Sequence, residues 1–217
     1  MTPKVGGIVL CGGESRRMGR PKAWLPFGNE VLLQRVVRIL GQVVDPIVVV
    51  AAPGQELPPL AAPVAIVHDA QKGRGPLEGL AAGLERLATS GVDAAFVSST
   101  DAPFLQPALV RLVIDCLGGH LAAVPFADGR HQPLAAAYRT AALPAIQRLL
   151  GQGRLRPVFL FDEVATRLID EAELRTVDPD LGSLRNLNTP ADYTAALRAA
   201  ELIAAASESG VWRRTRE

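Results

Sequence analysis

The chain has 217 residues, 48% apolar and 21% charged, which suits one α/β domain with a full core and excludes a disordered chain. A net charge of +1 gives no case for nonspecific nucleic-acid binding. The two cysteines, Cys11 and Cys116, lie far apart with no C-x-x-C pair, so a structural zinc site is not indicated and a reduced cytoplasmic protein is the expectation.

Along the chain, strands and helices alternate. Val5–Leu10 is an apolar run that reads as a buried strand. Val31–Leu40 carries Leu32, Val36, Ile39 and Leu40 on one helical face. Pro46–Ala51 and Val64–Val67 read as strands, and the run Ile47-Val48-Val49-Val50, with no polar alternation, indicates a parallel strand covered on both faces. A helix over Leu77–Ala88, a strand over Ala94–Ser98 and a helix over Gln106–Leu117 follow, with Pro107 suited to the first turn. Ala122–Pro125 and Leu134–Tyr138 are further short strands, and Ala141–Leu150 is helical. Thr189-Pro190-Ala191-Asp192 opens the last helix, with Thr189 as N-cap and Asp192 near the positive helix end.

This succession predicts an α/β fold: a single domain with a doubly wound, mostly parallel, Rossmann-like sheet in three α/β/α layers, with an antiparallel strand. The domain is placed at residues 1–206, with 207–217 a flexible C-terminal tail whose Trp212 carries no assigned function. Met1-Thr2-Pro3-Lys4 leads into a strand rather than a secretory core, and no stretch approaches the roughly 20 apolar residues of a membrane span.

The most informative segment is Leu10-Cys11-Gly12-Gly13-Glu14-Ser15-Arg16-Arg17-Met18-Gly19-Arg20-Pro21-Lys22. The paired glycines free backbone N–H groups after a strand, and three arginines and a lysine follow within ten residues. Freed amides backed by fixed cations suit a polyphosphate. The glycine spacing does not fit G-x-G-x-x-G, and Lys22 lies between Pro21 and Ala23 rather than in G-K-[ST], so neither the dinucleotide loop nor the P-loop is present. Cys11, inside this loop, is read as a space-filler.

Asp101, in Ser98-Ser99-Thr100-Asp101-Ala102-Pro103, stands at the carboxyl end of a strand, the rim where doubly wound sheets bind ligands. There it suits Mg²⁺, which takes one or two carboxylates plus phosphate oxygens; alone, it reads equally as a helix cap. Asp69-Ala70-Gln71-Lys72-Gly73-Arg74-Gly75-Pro76-Leu77-Glu78-Gly79 places glycines before a helix, where a planar base would lie against bare backbone and Asp69 would accept from a guanine edge or a ribose. The bland alternative is a loop and a helix start. Gly79 within a helix costs about 1 kcal/mol against Ala, which close packing or ligand approach must offset. Asn186 and Asn188, two apart in an extended segment, point the same way, toward a metal or phosphate or simply into a turn. His131-Gln132-Pro133-Leu134 is read as a second-substrate contact.

Together these residues resemble the molybdenum cofactor guanylyltransferases, of the glycosyltransferase-A-like nucleotidyltransferase superfamily. Leu10 to Lys22 matches L-x-G-G-x-S-x-R-M-G-x-x-K, and Gly75-Pro76-Leu77-Glu78-Gly79 is similar to the guanine-side G-P-L-x-G loop. Thr100-Asp101-Ala102-Pro103 resembles C-D-x-P with Thr for Cys. Asn186-Leu187-Asn188-Thr189-Pro190 resembles N-x-N-T-P, and His131-Gln132-Pro133-Leu134 is an H-P-L segment with Gln132 inserted. The resemblance implies GMP transfer from GTP to the terminal phosphate of molybdopterin with release of pyrophosphate. It implies Lys22, Arg16 and Asp101 as catalytic residues, with Asp101 holding Mg²⁺. Leu10, Gly12, Gly13, Lys22, Asp69, Gly75, Pro76, Leu77, Asp101 and Asn188 would bind the nucleotide.

GTP and molybdopterin are the implied partners, with molybdenum-insertion proteins and molybdoenzyme chaperones as candidates. Neither nucleic acid nor membrane is implied, and the chain is expected to be a monomer or weak oligomer. Two other readings stand beside this one: a related nucleotidyltransferase using CTP or a sugar-phosphate acceptor, and a non-catalytic carrier of GTP or cofactor. A comparison of GTP with CTP addresses the first, and pyrophosphate release the second.

Overall fold

The β-branched runs of the sequence become the centre of a sheet. In the computed structural model, which describes residues 4–12, 21–61, 63–68 and 75–208, the strands are β1 (Val5–Leu10), β2 (Pro26–Phe27), β3 (Glu30–Val31), β4 (Ile47–Ala51), β5 (Val64–His68), β6 (Ala94–Ser99), β7 (Ala122–Ala127), β8 (Arg130–His131), β9 (Ala135–Arg139) and β10 (Thr166–Ile169). The α-helices are α1 (Leu32–Leu40), α2 (Pro76–Ala88), α3 (Pro107–Asp115), α4 (Leu143–Gly151), α5 (Glu171–Arg175) and α6 (Pro190–Glu208).

The main sheet runs β10-β7-β9-β6-β1-β4-β5, with β8 paired to β7. Strands β5, β4, β1 and β6 are mutually parallel, β10 is parallel to β7, and β9 runs antiparallel between β6 and β7. Alternate side chains of the same strands feed two cores. Val9, Val49, Phe96 and Ala137 pack with α1 and α3 on one face. Ile8, Val48, Val97 and Tyr138 pack with α2 and α4 on the other. This is the expected three-layer α/β/α arrangement.

Close approach of layers explains one glycine: a Cβ on Gly83 would lie 2.8 Å from the Ile8 side chain, so α2 rests on β1 only because that position is bare. Among the described residues, no helix is long and apolar enough to cross a membrane.

Several elements differ from the sequence reading. The first helix begins at Leu32 because Val31 pairs with Pro26 in a hairpin, β2–β3, which turns at Gly28 with φ +64°. The strand β10 and the short helix α5 were not expected; Thr166-Arg167-Leu168-Ile169 is only four residues long and half-exposed, so it lacks the apolar run that marks the central strands. Residues Thr140–Ala142 form a 3-10 turn and the helix proper starts at Leu143. α6 continues to Glu208, and Trp212 lies outside the described residues.

Candidate functional site

Chain order and sheet order part company at one place. From β1 the chain moves outward to β4 and β5, then returns through α2 to β6 on the other side of β1. The gap beyond the carboxyl ends of β1 and β6 is therefore the topological switch point, where open α/β sheets leave a crevice between diverging connections. Leu10 and Ser99 are paired there. Gly12 follows one strand end and Asp101 the other.

The two strand ends are tied together. The Leu10 carbonyl accepts from the Thr100 amide and hydroxyl, both at 3.1 Å. Thr100 is buried, so the hydroxyl has a structural use here that a cysteine thiol would make more weakly. Cys11 is buried, its amide donates to Val50, and burial pushes its thiol up; it fills space as expected. Gln55 was not singled out from the sequence. Its Nε2 donates to the Cys11 carbonyl at 3.1 Å while its Oε1 accepts from the Ala52 amide at 3.0 Å, which fixes the backbone just before Gly12.

Lys22 opens a 3-10 turn over Lys22–Trp24, and its Nζ donates to Asp101 Oδ2 at 2.5 Å. The side chains are 22% and 13% exposed, so the contact is largely shielded from water and stronger than a surface pair. Seventy-nine residues separate the two in sequence. The fold thus brings the last residue of the glycine–arginine segment onto the carboxylate at the end of β6. Gly13 and Arg16 lie outside the described residues, as does Asp69.

Asp101 is braced from two sides. The Asp101 carbonyl accepts from the Leu187 amide at 3.0 Å, and the Ser99 hydroxyl donates to Asn186 Oδ1 at 3.3 Å. Leu187 is buried with Leu25, Phe27, Leu32 and Ala196, while its neighbours Asn186 and Asn188 are exposed, which is the alternation expected of an extended segment. From the opposite side, Arg35 Nε donates to the Pro103 carbonyl at 2.6 Å, with its guanidinium 4.9 Å from the Phe27 ring and 3.1 Å from Glu30. Arg35 has no motif around it in the sequence.

Thr189 caps α6 as expected, its hydroxyl accepting from the Asp192 amide at 3.1 Å. The Asp192 carboxylate accepts from the amides of Asn188 and Thr189 at 3.0 and 2.8 Å. It is held below its ordinary range by the Thr189 hydroxyl first, then by those amides, with the Lys22 charge adding to the effect.

The third expected loop is partly in view. Gly75 has φ +77° and precedes Pro76 at the first position of α2. A Cβ there would lie 3.0 Å from the Leu155 carbonyl. Glycine is required by the backbone itself, before any ligand is considered. Leu77 is fully buried, so it presents only backbone toward that side.

An open cleft of about 360 Å³ is lined in part by the Arg185–Asn188 segment, whose Leu187 amide bonds the Asp101 carbonyl. One wall is Asp128, Arg130 and Gln132 from the β7–β8 hairpin; the other is Arg185, Asn186 and Asn188 with Asp192, so two guanidiniums and two carboxylates share the cleft. The Arg185 guanidinium lies 5.2 Å from the Phe104 ring. His131, read from the sequence as a second-substrate contact, packs between the rings of Phe126 and Phe161, at 5.2 and 5.1 Å. In a two-stranded hairpin successive side chains face opposite sides, so the residues flanking His131 reach the cleft and His131 does not.

A sequence profile of the MobA-like NTP transferase domain matches residues 7–167, about three quarters of the chain. The chain belongs to that family. A probable molybdenum cofactor guanylyltransferase of Mycobacterium avium is 41% identical over 204 residues, covering 90% of this chain and 96% of the relative. One of the same description from Mycobacterium tuberculosis is 39% identical over 201 residues, covering 91% and 95%. The crystal structure of molybdopterin-guanine dinucleotide biosynthesis protein A from Archaeoglobus fulgidus superposes with a TM-score of 0.73 at 25% identity, covering 93% of this chain and 98% of that one. The family is one of nucleotidyltransferases, and the chain is an enzyme of that class. A cytidylyltransferase from Thermus thermophilus, at TM-score 0.64 and 19% identity, shares the fold.

Proposed function

We propose that this enzyme transfers GMP from GTP to the terminal phosphate of molybdopterin and releases pyrophosphate. The observation that carries the reading is the Lys22–Asp101 contact at the switch point, with Gly12 following β1 and the cleft-lining Leu187 bonded to the Asp101 carbonyl. The named relatives at about 40% identity supply the guanylyl donor and the cofactor acceptor.

The donor triphosphate lies over Gly12 and Gly13, whose amides meet its oxygens, with Arg16 and Lys22 offsetting charge on the α-phosphate and the leaving group. Asp69, with the backbone at Gly75, Pro76 and Leu77, receives the guanine side. The acceptor lies in the cleft, its anionic groups toward Arg130 and Arg185. An oxygen of its terminal phosphate attacks the α-phosphorus in line, the bond to the β-phosphate oxygen breaks, and pyrophosphate departs. The attacking phosphate is already ionised near neutral pH, so no side chain has to act as general base.

Asp101 is a fitting holder for Mg²⁺: a carboxylate 13% exposed on the crevice rim, with Oδ2 meeting Lys22 and its carbonyl bonded to the asparagine-bearing segment, offers the single oxygen ligand that this ion accepts when phosphate oxygens and water complete its shell. Bound there, the ion would neutralise charge on the reacting phosphates. Asn188 stands as helper to Asp101. Both cysteines are free, which suits a reduced cytosol.

The test is pyrophosphate release from purified protein with Mg²⁺. Release requiring GTP and molybdopterin together, with CTP giving little, is expected. Equal or better use of CTP would move the enzyme to another nucleotide, and absence of release with every nucleotide would make it a carrier.

A further inference from the structure

The segment bearing Asn186 and Asn188 has no regular secondary structure, yet its position is fixed. The fixing group lies several residues upstream. Asp178 is 1% exposed, and both of its carboxylate oxygens are used. Oδ1 accepts from Gln106 Nε2 at 3.0 Å and from the Gly182 amide at 3.1 Å; Oδ2 accepts from the Ser183 amide at 2.8 Å. Ser183 is equally buried, and its hydroxyl accepts from the Gln106 amide at 3.0 Å.

The turn so held includes Leu181, a non-glycine residue at φ +50°, a left-handed conformation that persists only where neighbours over-determine it. Gly182–Leu184 then form a single 3-10 turn that delivers Arg185, Asn186, Leu187 and Asn188. Gln106 stands at the start of α3, five residues after Asp101. The clamp therefore joins the two chain segments whose juxtaposition makes the Leu187–Asp101 and Ser99–Asn186 bonds.

A buried carboxylate without a cationic partner is costly unless amide donors satisfy it, and here three of them do. If only a tight turn were needed, an exposed Asp or Asn would serve. We propose that Asp178 is a positioning residue for nucleotidyl transfer: its carboxylate fixes the turn that aims the Asn186–Asn188 arm and Arg185 at the acceptor beside Asp101. The proposal rests on the reading of the cleft as the acceptor site.

Asp178→Asn is the decisive variant, because either orientation of the amide sets an NH₂ against a donor that now meets an oxygen. The expected result is an acceptor KM raised about tenfold, as small misplacements of a positioning group do, with the GTP KM nearly unchanged. The Leu187 amide should exchange hydrogen at least about tenfold faster, while amides of β1 and β4 keep their protection. In an Arg185→Ala, Asn186→Ala, Asn188→Ala background, Asp178→Asn should add little to the kinetic loss, because every side chain it aims is gone.

A lowered melting temperature with unchanged acceptor KM and unchanged Leu187 exchange would overturn the proposal, and so would a fully additive loss in the combined variant. Should Asp178→Asn fail to fold, Ser183→Ala removes the hydroxyl's bonds to the Gln106 amide and the Phe104 carbonyl and leaves the bonds to the Asp178 carboxylate in place. The same shifts in smaller degree support the proposal, and none refutes it. The exchange measurement needs no substrate, so it separates failure of the clamp from failure of the acceptor reading.

Discussion

The two sides of the crevice are built by different means. The β1 side is a strand end followed by glycines and a lysine, ordered by backbone hydrogen bonds between adjacent parallel strands. The β7 side is a hairpin and an irregular arm, ordered by side chains from distant segments: Arg35 on Pro103, Asp178 on Gln106, Leu187 in a small apolar cluster. A phosphate can be gripped by amides that any strand-to-loop transition exposes, so that side needs little beyond local sequence. An acceptor of larger and less regular shape would need walls, and the cleft's walls come from residues far apart in sequence, Arg130 and Gln132 on one side and Arg185 to Asn188 on the other.

Asp101 belongs to both sides, and its replacement should have the largest effect. Asp101→Asn keeps the shape but removes the charge that meets Lys22 and would hold Mg²⁺. Turnover is expected to fall on the order of 10²-fold or more, with a milder loss of GTP binding. Near-normal turnover at saturating Mg²⁺ would remove the metal from Asp101. Lys22→Ala attacks the β1 side alone: both kcat and GTP affinity should fall, together about 10- to 100-fold in kcat/KM, with the acceptor KM unmoved. A variant that only melts earlier would make Lys22 a structural partner of Asp101.

Arg185→Ala is the matching cut on the β7 side. A charge-assisted contact contributes about 1.5–3 kcal/mol, and Arg185 is partly occupied with the Phe104 ring. The acceptor KM should therefore rise about tenfold with the GTP KM unchanged. If Lys22→Ala and Arg185→Ala shifted the same substrate's KM, the division of the crevice into donor and acceptor sides would fail.

The same division explains what the sequence discloses. The strand-and-glycine signature at Leu10–Gly12, the carboxylate at Asp101 and the Thr189 cap are local patterns, and each stands where its pattern places it. The burial of β1 and β4 follows from their apolar runs, but the order of the strands does not. Arg35, Gln55 and Asp178 act over separations of 68, 44 and 72 residues, and no spacing rule marks an arginine, glutamine or aspartate for a carbonyl or amide that far away. His131 shows the converse: its motif drew attention to it, but the pleat of a hairpin turned it toward two aromatic rings and left its neighbours Arg130 and Gln132 facing the cleft. Gly75 shows a third case, in which a residue expected to make room for a ligand already makes room for Leu155.

The smallest expected effect lies at the corner behind Asp101, where neither substrate is contacted. Glu30 accepts from Arg38 at 2.7 and 3.0 Å and from Arg35 at 3.1 Å. The Arg38 hydrogen bonds, with the charges of both arginines, hold its carboxyl below the usual carboxylate range. A folded-state value below the unfolded one stabilises the protein fully above the unfolded pKa of about 4.3, and the gain disappears as pH falls through the folded value. Arg38 is half-exposed, so the contribution is that of a screened surface pair, below about 1 kcal/mol. Glu30→Gln should lower the melting temperature by a few degrees at most at pH 7, and by less as pH falls below the unfolded value of about 4.3, where the gain from the carboxylate is being lost. Because Arg35 keeps its bond to Pro103, the KM values for GTP and acceptor should stay where they are. A rise in either would show that Glu30 acts through Arg35 on the Asp101 segment, and would extend the tertiary bracing of the crevice one residue further from the site.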